Sequence, residues 1–539
     1  MITKTIYDTA SEQSVKVNNY PLTDSGNGQR LSDKFEDRIR YCPEERAWFI
    51  WDGRRWKLDD SNTIQELAKT LYSDLIKEAE IQIEGEDPDD QEKRKKAYHK
   101  AAKESASLRG LVASHKCASS ISKLIVKRDV FNRHDHLLNC ANGIVDLHTM
   151  TLLPHDPKLF LSYLCPTEFD PNAKSSEFDN LLDIVTKNHQ PELPAFLKRL
   201  CGYIIQGSKG AERIVIAFGK GGTGKGTFWG QLAAVLDTDY AKTFDCNSML
   251  KQVRGGGAAS GDLARLEGCR FALISEFPKH SRVDEALLKR LSGGDKLVAR
   301  ELYKAERQFG LNCQMVFQTN QQPGFDSTDS GNQRRYLEIP FDNKIPNPDP
   351  QRKQQLEKDT DALKAMLAWA VAGSAEYQAN VRLVNQGLMV DALQPPPCVL
   401  VATKTLFDHN DYLSEFFADC LVIDPLATTP VKTMSDVFKM WCVKNDHDLP
   451  KKAQTFNKML KERNLKYAWM TGGEVRAWHG ARLTKHGERL IEPYEETVKR
   501  GQLETKTSLQ RFKEAKEAAK PDLTVFFGID EAKVETNAA

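Results

Sequence analysis

The stretch Arg213 to Thr227, RIVIAFGKGGTGKGT, decides how the rest of the chain is read. Ile214 to Phe218 is a short apolar run rich in β-branched residues, the pattern of a buried strand. The TFWGQLAAVL that follows carries an apolar face at helical spacing. Strand, glycine loop and helix, in that order, frame a phosphate-binding P-loop. Gly219, Gly221, Gly222 and Gly224 let the backbone turn tightly and aim its N–H groups at phosphate oxygens. The helix N-terminus adds its partial positive charge at the same place. The nucleotide-binding candidates are therefore Gly219, Lys220, Gly221, Gly222, Thr223, Gly224, Lys225, Gly226 and Thr227, with Lys225 reaching the outer phosphates. The pattern G-x-x-x-x-G-K-[ST] is broken once: Gly226 follows the lysine, and the hydroxyl comes one place later on Thr227, the candidate Mg2+ ligand.

Composition sets outer limits. A chain of 539 residues has room for about three or four domains. Being 40% hydrophobic and 28% charged is ordinary for a globular protein. The net charge of +1 excludes a global basic signature, so nucleic-acid contacts must come from local patches or from a ring of subunits that focuses charge on a channel. The eleven cysteines include no C-x-x-C pair and read as reduced, mostly buried thiols. The opening MITKTIYDTASEQ has no apolar run, and no stretch near 18 residues is continuously apolar. The expectation is a cytoplasmic protein, in a bacterium or a phage-infected host cell, with no membrane partner.

Residues 1–30 are polar and read as poorly ordered. In RYCPEERAWFIWDGRRWKLDD, Trp48, Phe49, Trp51 and Trp56 flank the hairpin turn signal Asp52-Gly53. These rings with Arg54 and Arg55 form either a base-stacking platform or, in the favoured reading, the hairpin's own small core. Asp87, Asp89 and Asp90 lie in a charge run that reads as a solvated loop and helix, because no apolar strand frames them as the metal-binding acid pair of a primase or polymerase. His134-Asp135-His136 reads as a surface loop, because paired metal histidines on a strand would have an apolar residue between them. Residues 137–157 read as small strands and 176–206 as two helices.

Beyond the loop, FALISEF is a second buried strand ending in Ser275-Glu276, where Glu276 can orient and deprotonate water. Ser275 stands where a metal-holding acid often stands. DEALLKRLSGGD reads as a helix closed by Ser-Gly-Gly. KLVARELY and QFGLNCQMVFQTN read as a hairpin with a charged tip running into a core strand that ends at Asn320. Arg334-Arg335 precede one more strand, YLEIPF.

That order resembles the superfamily 3 helicases, and within them the phage, plasmid and poxvirus primase–helicase group. The matching features are the P-loop, the acid-ended strand, K-R-L-x-G-G-D-x-x-x-A-R, the hairpin, T-N-x-x-P and R-R-x-x-x-I-P-F. L-N-x-x-N-G-I-V-D-L and F-L-K-R-L-x-G-Y-I-I-x-G resemble the segment before the core in that group. The resemblance covers roughly residues 30–490 and implies ATP and Mg2+ as cofactors. It implies that Lys225 and Thr227 act on the nucleotide, Glu276 as catalytic acid, Asn320 as a sensor of the γ-phosphate or the attacking water, and Arg334 or Arg335 as an arginine finger given to a neighbouring subunit, the other arginine anchoring the strand. It further implies Lys304 and Arg307 on a DNA-tracking hairpin, and a hexameric ring around single-stranded DNA.

The resulting expectation is an α/β protein with a P-loop AAA+-type ATPase core. Its parts are an accessory region at 1–136, a pre-core segment at 137–207, the core at 208–378, a winged-helix-like domain at 379–490 and a charged tail at 491–539. The tail has the look of a partner-docking peptide. Lys451, Lys452, Lys458, Lys461, Arg463 and Lys466 mark either a DNA-binding or a solvated face of the winged-helix-like part. No acidic metal site on strands precedes residue 137, so the chain reads as a helicase without a primase. The expected activity is ATP-driven DNA unwinding by translocation on single-stranded DNA, in replication of a phage, plasmid or integrated element, with single-stranded and forked DNA and a separate primase or replication protein as partners. The alternative is an ATP-regulated initiator that recognises and melts an origin.

Overall fold

The computed structural model describes residues 5–7, 14–16, 20–207, 210–250, 261–278, 281–299, 307–325, 333–346, 349, 351–410, 412–445, 453–470 and 475–491. Two compact units result, 1–410 and 411–539, each with its own core. The sequence places a boundary at 378–379, whereas the first unit runs on to Asn410.

The first unit opens with a strand pair, β1 (Thr5–Tyr7) and β2 (Ser14–Lys16). Helix α1 (Asp24–Lys34) starts at Thr23, whose hydroxyl accepts the Gly26 N–H. A meander of β3 (Ile39–Cys42), β4 (Ala47–Trp51) and β5 (Trp56–Leu58) follows. Asp52 Oδ1 accepts the Arg54 and Arg55 N–H groups at the β4–β5 turn, with Gly53 at φ 96°. Trp56 is buried and donates to the Pro157 carbonyl at 2.8 Å. Trp48 is buried too, so these two rings serve a core, while Phe49 and Trp51 are half-buried. Helices α2 (Thr63–Glu80), α3 (Pro88–Ser105) and α4 (Leu108–Ala118) complete this region. Asp87 caps α3, with Asp89 and Asp90 in its first turn, a solvated helix start.

A second meander, β6 (Leu137–Cys140), β7 (Gly143–Asp146) and β8 (Thr151–Leu153), leads to α5 (Ser176–Thr186) and α6 (Glu192–Ile205). Then comes the sheet that organises the unit: β9 (Ile214–Phe218), α7 (Lys225–Tyr240), β10 (Ala241–Phe244), α8 (Gly261–Ala264) and β11 (Phe271–Ile274). It continues through α9 (Glu285–Ser292), the antiparallel pair β12 (Leu297–Ala299) and β13 (Arg307–Phe309), β14 (Gln314–Thr319) and β15 (Tyr336–Pro340). The five sheet strands run in the order β10–β11–β14–β9–β15, and every neighbouring pair is parallel.

A parallel sheet is covered on both faces, which is why its strands read as unbroken apolar runs. Side chains alternate between the faces. Val215 and Ala217 enter one core with Phe228, Trp229 and Leu232 of α7, while Ile214 and Ile216 enter another with Phe244, Leu288 and Phe317. Helices α10 (Arg352–Leu356), α11 (Thr360–Asn385) and α12 (Pro397–Asn410) close the unit. Helices α6 and α11 cross at glycines: a Cβ on Gly202 would run into the Gly373–Ser374 backbone, and one on Gly373 into the Lys198 carbonyl.

The second unit holds α13 (Tyr412–Cys420), β16 (Leu421–Pro430), α14 (Val431–Lys444), α15 (Ala453–Glu462), β17 (Lys466–Trp469) and β18 (Arg476–Leu483). Its strands form an antiparallel sheet in the order β16–β18–β17. Phe438 and Phe456 stack 4.0 Å apart in its core. Lys451, Lys452, the Gly472-Gly473 turn and the tail from 492 lie outside the described residues. No helix among the described residues is long and apolar enough to cross a membrane.

Candidate nucleotide site

In a parallel sheet all strands end on one edge, so the loops after β9, β11 and β14 meet there. The loop after β9 turns with Gly222 at φ 79° and Gly224 at φ 80°, left-handed values that favour glycine. Gly219 is fixed by crowding, since a Cβ there would run into the Phe341 carbonyl oxygen. Gly221 and Gly222 are exposed, and a Cβ on either meets nothing within 4 Å, so the outer face of the loop is open. Lys220 is exposed beside them, and the buried Thr223 hydroxyl donates to the Lys220 carbonyl at 3.1 Å, bracing the turn.

Lys225 begins α7 and is only 5% exposed. Its Nζ donates to the carbonyls of Gly219 at 2.8 Å and Lys220 at 3.3 Å, and to Asn320 Oδ1. Asn320 Nδ2 donates onward to Glu276 Oε1 at 2.6 Å. Three candidates scattered over the sequence are thus one hydrogen-bonded chain. The registers explain it: β14 lies between β9 and β11, so Asn320 stands between loop and acid. Burial lowers the Lys225 pKa, and the negative charge of Glu276 partly offsets that.

The Gly226 departure has a steric counterpart. A Cβ at 226 would sit 3.0 Å from Gln318 Nε2, so the absent side chain leaves room for that amide. Thr227 is half-buried in the first turn of α7. Ser275 uses its Oγ to accept the Cys246 N–H at 3.2 Å, holding the strand end. Hard oxygen donors suit Mg2+. The protein side here is thin: the Thr227 hydroxyl, and a Glu276 carboxylate already bonded to Asn320.

Arg334 and Arg335 lie elsewhere. They precede β15, whose start pairs with Ile214, so they sit at the opposite edge of the sheet from the glycine loop. A strand of five residues separates the two edges, about 16 Å. Arg334 is 68% exposed and 3.4 Å from Glu212, whereas Arg335 is 13% exposed and bonds the same carboxylate at 3.1 Å. Arg307 starts β13 and is ion-paired to Glu45 at 3.2 Å and Glu267 at 3.8 Å. Arg128 bonds the same two acids. Lys304 lies outside the described residues.

Sequence reading missed two features. Glu338 on β15 is buried, accepts from Gln322 Nε2 at 2.9 Å, and burial raises its pKa to about 7. A lone glutamate inside YLEIPF was the visible signal. In the second unit a hollow of about 510 Å³ is lined by Lys432, Lys439, Tyr467, Trp469 and Arg476. The Arg476 guanidinium lies 4.8 Å from the Trp469 ring, which is 54% exposed.

Comparison with known proteins follows the same layout. The family described as "D5 N terminal like" matches residues 28–187, a family of unknown function matches 217–335, and the "Poxvirus D5 protein-like" family matches 408–478. Two separate segments, one before and one after the parallel sheet, are therefore similar to D5 families. "Putative helicase L207/L206" of Acanthamoeba polyphaga mimivirus is 22% identical over 305 residues, 54% of this chain and 32% of that protein. "Putative helicase 022R" of Frog virus 3 is 24% identical over 272 residues, 46% of this chain and 26% of that protein. "Putative primase C962R" of African swine fever virus is 26% identical over 238 residues, 42% of this chain and 24% of that protein. Each match spans a third or less of the relative. Two segments of the chain are thus similar to D5 families, and the relatives that it matches in part carry names of helicases or primases. Among solved structures, the C-terminal region of NrS-1 gives a TM-score of 0.32 at 13% identity, over 58% of this chain and 77% of that one.

Proposed function

We propose that this chain is an ATP-dependent DNA helicase of the superfamily 3 type, with an AAA+-type core built on the β9–β15 sheet. The observation that carries the reading is the hydrogen-bonded chain Lys225–Asn320–Glu276 beneath an open glycine loop. Phosphate oxygens set on Gly221 to Gly224 would draw the Lys225 ammonium away from its loop carbonyls. Asn320 then holds both the terminal phosphate and the water, and Glu276 accepts the proton of that water. Thr227 would hold Mg2+, which would neutralise phosphate charge when bound.

The finger assignment goes to Arg334. It is exposed and a strand length from its own loop, so it serves a neighbour's nucleotide in a ring, which we take to be a hexamer. Arg335 holds Glu212 and the strand. DNA contacts fall to the β12–β13 hairpin through Lys304 and Arg307, the latter after release from Glu45 and Glu267. The second unit is read as winged-helix-like, from its strand–helix–helix–strand–strand order.

The test is ATP hydrolysis with and without single-stranded DNA, then strand displacement on a fork, in wild type and Lys225→Ala. DNA-stimulated hydrolysis lost in the variant supports the reading; hydrolysis that persists in Lys225→Ala ends it. The basic and aromatic hollow of the second unit favours a second reading, origin recognition and melting. Sequence-selective duplex binding without ATP and no strand displacement would establish that one.

A further inference from the structure

In His134-Asp135-His136 the two histidine rings meet edge-on at 5.9 Å, and His136 also belongs to a second group. The β6–β7 register pairs Leu137 with Asp146 and sets His136 opposite Leu147, whose N–H donates to the His136 carbonyl at 2.9 Å. His136 is thereby flanked across the hairpin by Asp146 and His148. The His136 and His148 rings stack at 4.7 Å with 11° between their planes. One ligand atom from each of His136, Asp146 and His148 lies within 4.8 Å of the others. His136 and Asp146 are half-buried and His148 is exposed, so the group opens to solvent. Asp146 Oδ1 also accepts the His148 N–H at 2.8 Å, which fixes the turn that presents His148.

We propose that His136, Asp146 and His148 form a divalent transition-metal site, with Zn2+ its natural occupant. Two imidazoles and one carboxylate suit Zn2+ and its first-row neighbours, whereas Mg2+ takes oxygen donors. Bonds of about 2.1 Å in tetrahedral array put ligand atoms about 3.4 Å apart, so small side-chain rotations close the site. Three protein ligands leave a coordination position for water on the exposed side. The site is distinct from the nucleotide site. It joins the open end of the β6–β7 hairpin, next to Leu137, whose carbonyl accepts from Arg270 Nη2 at 2.6 Å at the start of β11. Glu276 stands beyond the other end of that strand, so a metal here braces the sheet at the edge opposite the glycine loop.

The experiment uses the full chain, stripped with chelator and titrated with Zn2+ by calorimetry, and with Co2+ for its visible absorption. His148→Ala is the first variant because the residue is exposed; Asp146→Asn is the second, and thermal melting checks that each folds. The expected result is one Zn2+ per wild-type chain, with affinity about tenfold or more weaker in both variants. His148→Cys, which keeps a donor, should restore binding, and excess Mg2+ should fail to displace Zn2+. Equal Zn2+ affinity in wild type and both folded variants would overturn the proposal. So would Co2+ spectra showing only thiolate ligation, or displacement by Mg2+.

Discussion

Lys225 and Asn320, 95 residues apart in the chain, are in direct hydrogen-bond contact at the C-terminal edge of the sheet. The contact ties the first turn of α7 to the end of β14, so the lysine is aimed before any nucleotide arrives. Asn320→Ala removes one preorganised donor and should lower kcat for ATP hydrolysis by about 100-fold. Nucleotide affinity should stay within a few-fold. Steady-state kinetics beside equilibrium binding of a fluorescent ATP analogue separates the two. Equal losses in both would make Asn320 a binding residue instead.

Glu276→Gln keeps the contact to Asn320 Nδ2 but not the basicity. Hydrolysis should fall by about 10²–10⁴-fold while ATP is still bound. Single-turnover hydrolysis of prebound ATP is the direct measurement. A variant with near wild-type rates would remove the acid from the mechanism.

The two neighbouring arginines should part company. Arg334→Ala, at a mostly exposed side chain, should leave Tm unchanged and lower hydrolysis by about 10³-fold or more. Arg335→Ala should instead lower Tm, because it removes the shorter and more buried of the two ion pairs to Glu212 at the start of β15. Mixing Arg334→Ala with Lys225→Ala chains checks the role in trans: partial recovery of activity is expected if each supplies what the other lacks.

Glu338 predicts a pH dependence of stability. Its folded pKa is about 7 against an ordinary 4.5, so between those values the folded state holds a proton that the unfolded chain releases. Stability from this group is full below about pH 4.5 and is lost as pH rises through 7. The loss amounts to at most about 3 kcal/mol. Glu338→Gln should abolish that slope and stabilise the protein at pH 8 relative to wild type. Urea melts of both proteins across the range, compared pH by pH, decide it.

The α6–α11 crossing depends on absent side chains. Gly373→Ala would drive a methyl group into the Lys198 carbonyl and should cost about 1–3 kcal/mol. Gly310→Ala, where a Cβ meets nothing within 4 Å, is the control expected to change little. Thermal unfolding of the two variants side by side is the measurement.

Much of this was legible because local chemistry and tertiary role coincide. Ile214 to Phe218 must be a strand covered on both faces, and the glycines after it must turn, whatever else surrounds them. The two helices at 176–206 and the small strands after 137 follow from periodicity and turn residues in the same way. The tryptophan hairpin was legible as a hairpin, while the destination of its rings was not. Trp56 finds its hydrogen-bond partner at Pro157, 101 residues away.

The sequence by itself determined the strand–loop–helix around Lys225, the acid-ended and asparagine-ended strands, and their order along the chain. Those features are local: each is fixed by side-chain period, glycine freedom or helix and turn propensity. Only the tertiary structure decided that β14 inserts between β9 and β11, which turns Lys225, Asn320 and Glu276 into one hydrogen-bonded chain. It also decided that Arg334 is exposed and Arg335 mostly buried, that Arg307 is held between Glu45 and Glu267, and that His136 meets Asp146 and His148. These pairings join residues distant in sequence or set across a strand register, and they follow from how the sheet and hairpins bury their apolar faces, which no single stretch encodes.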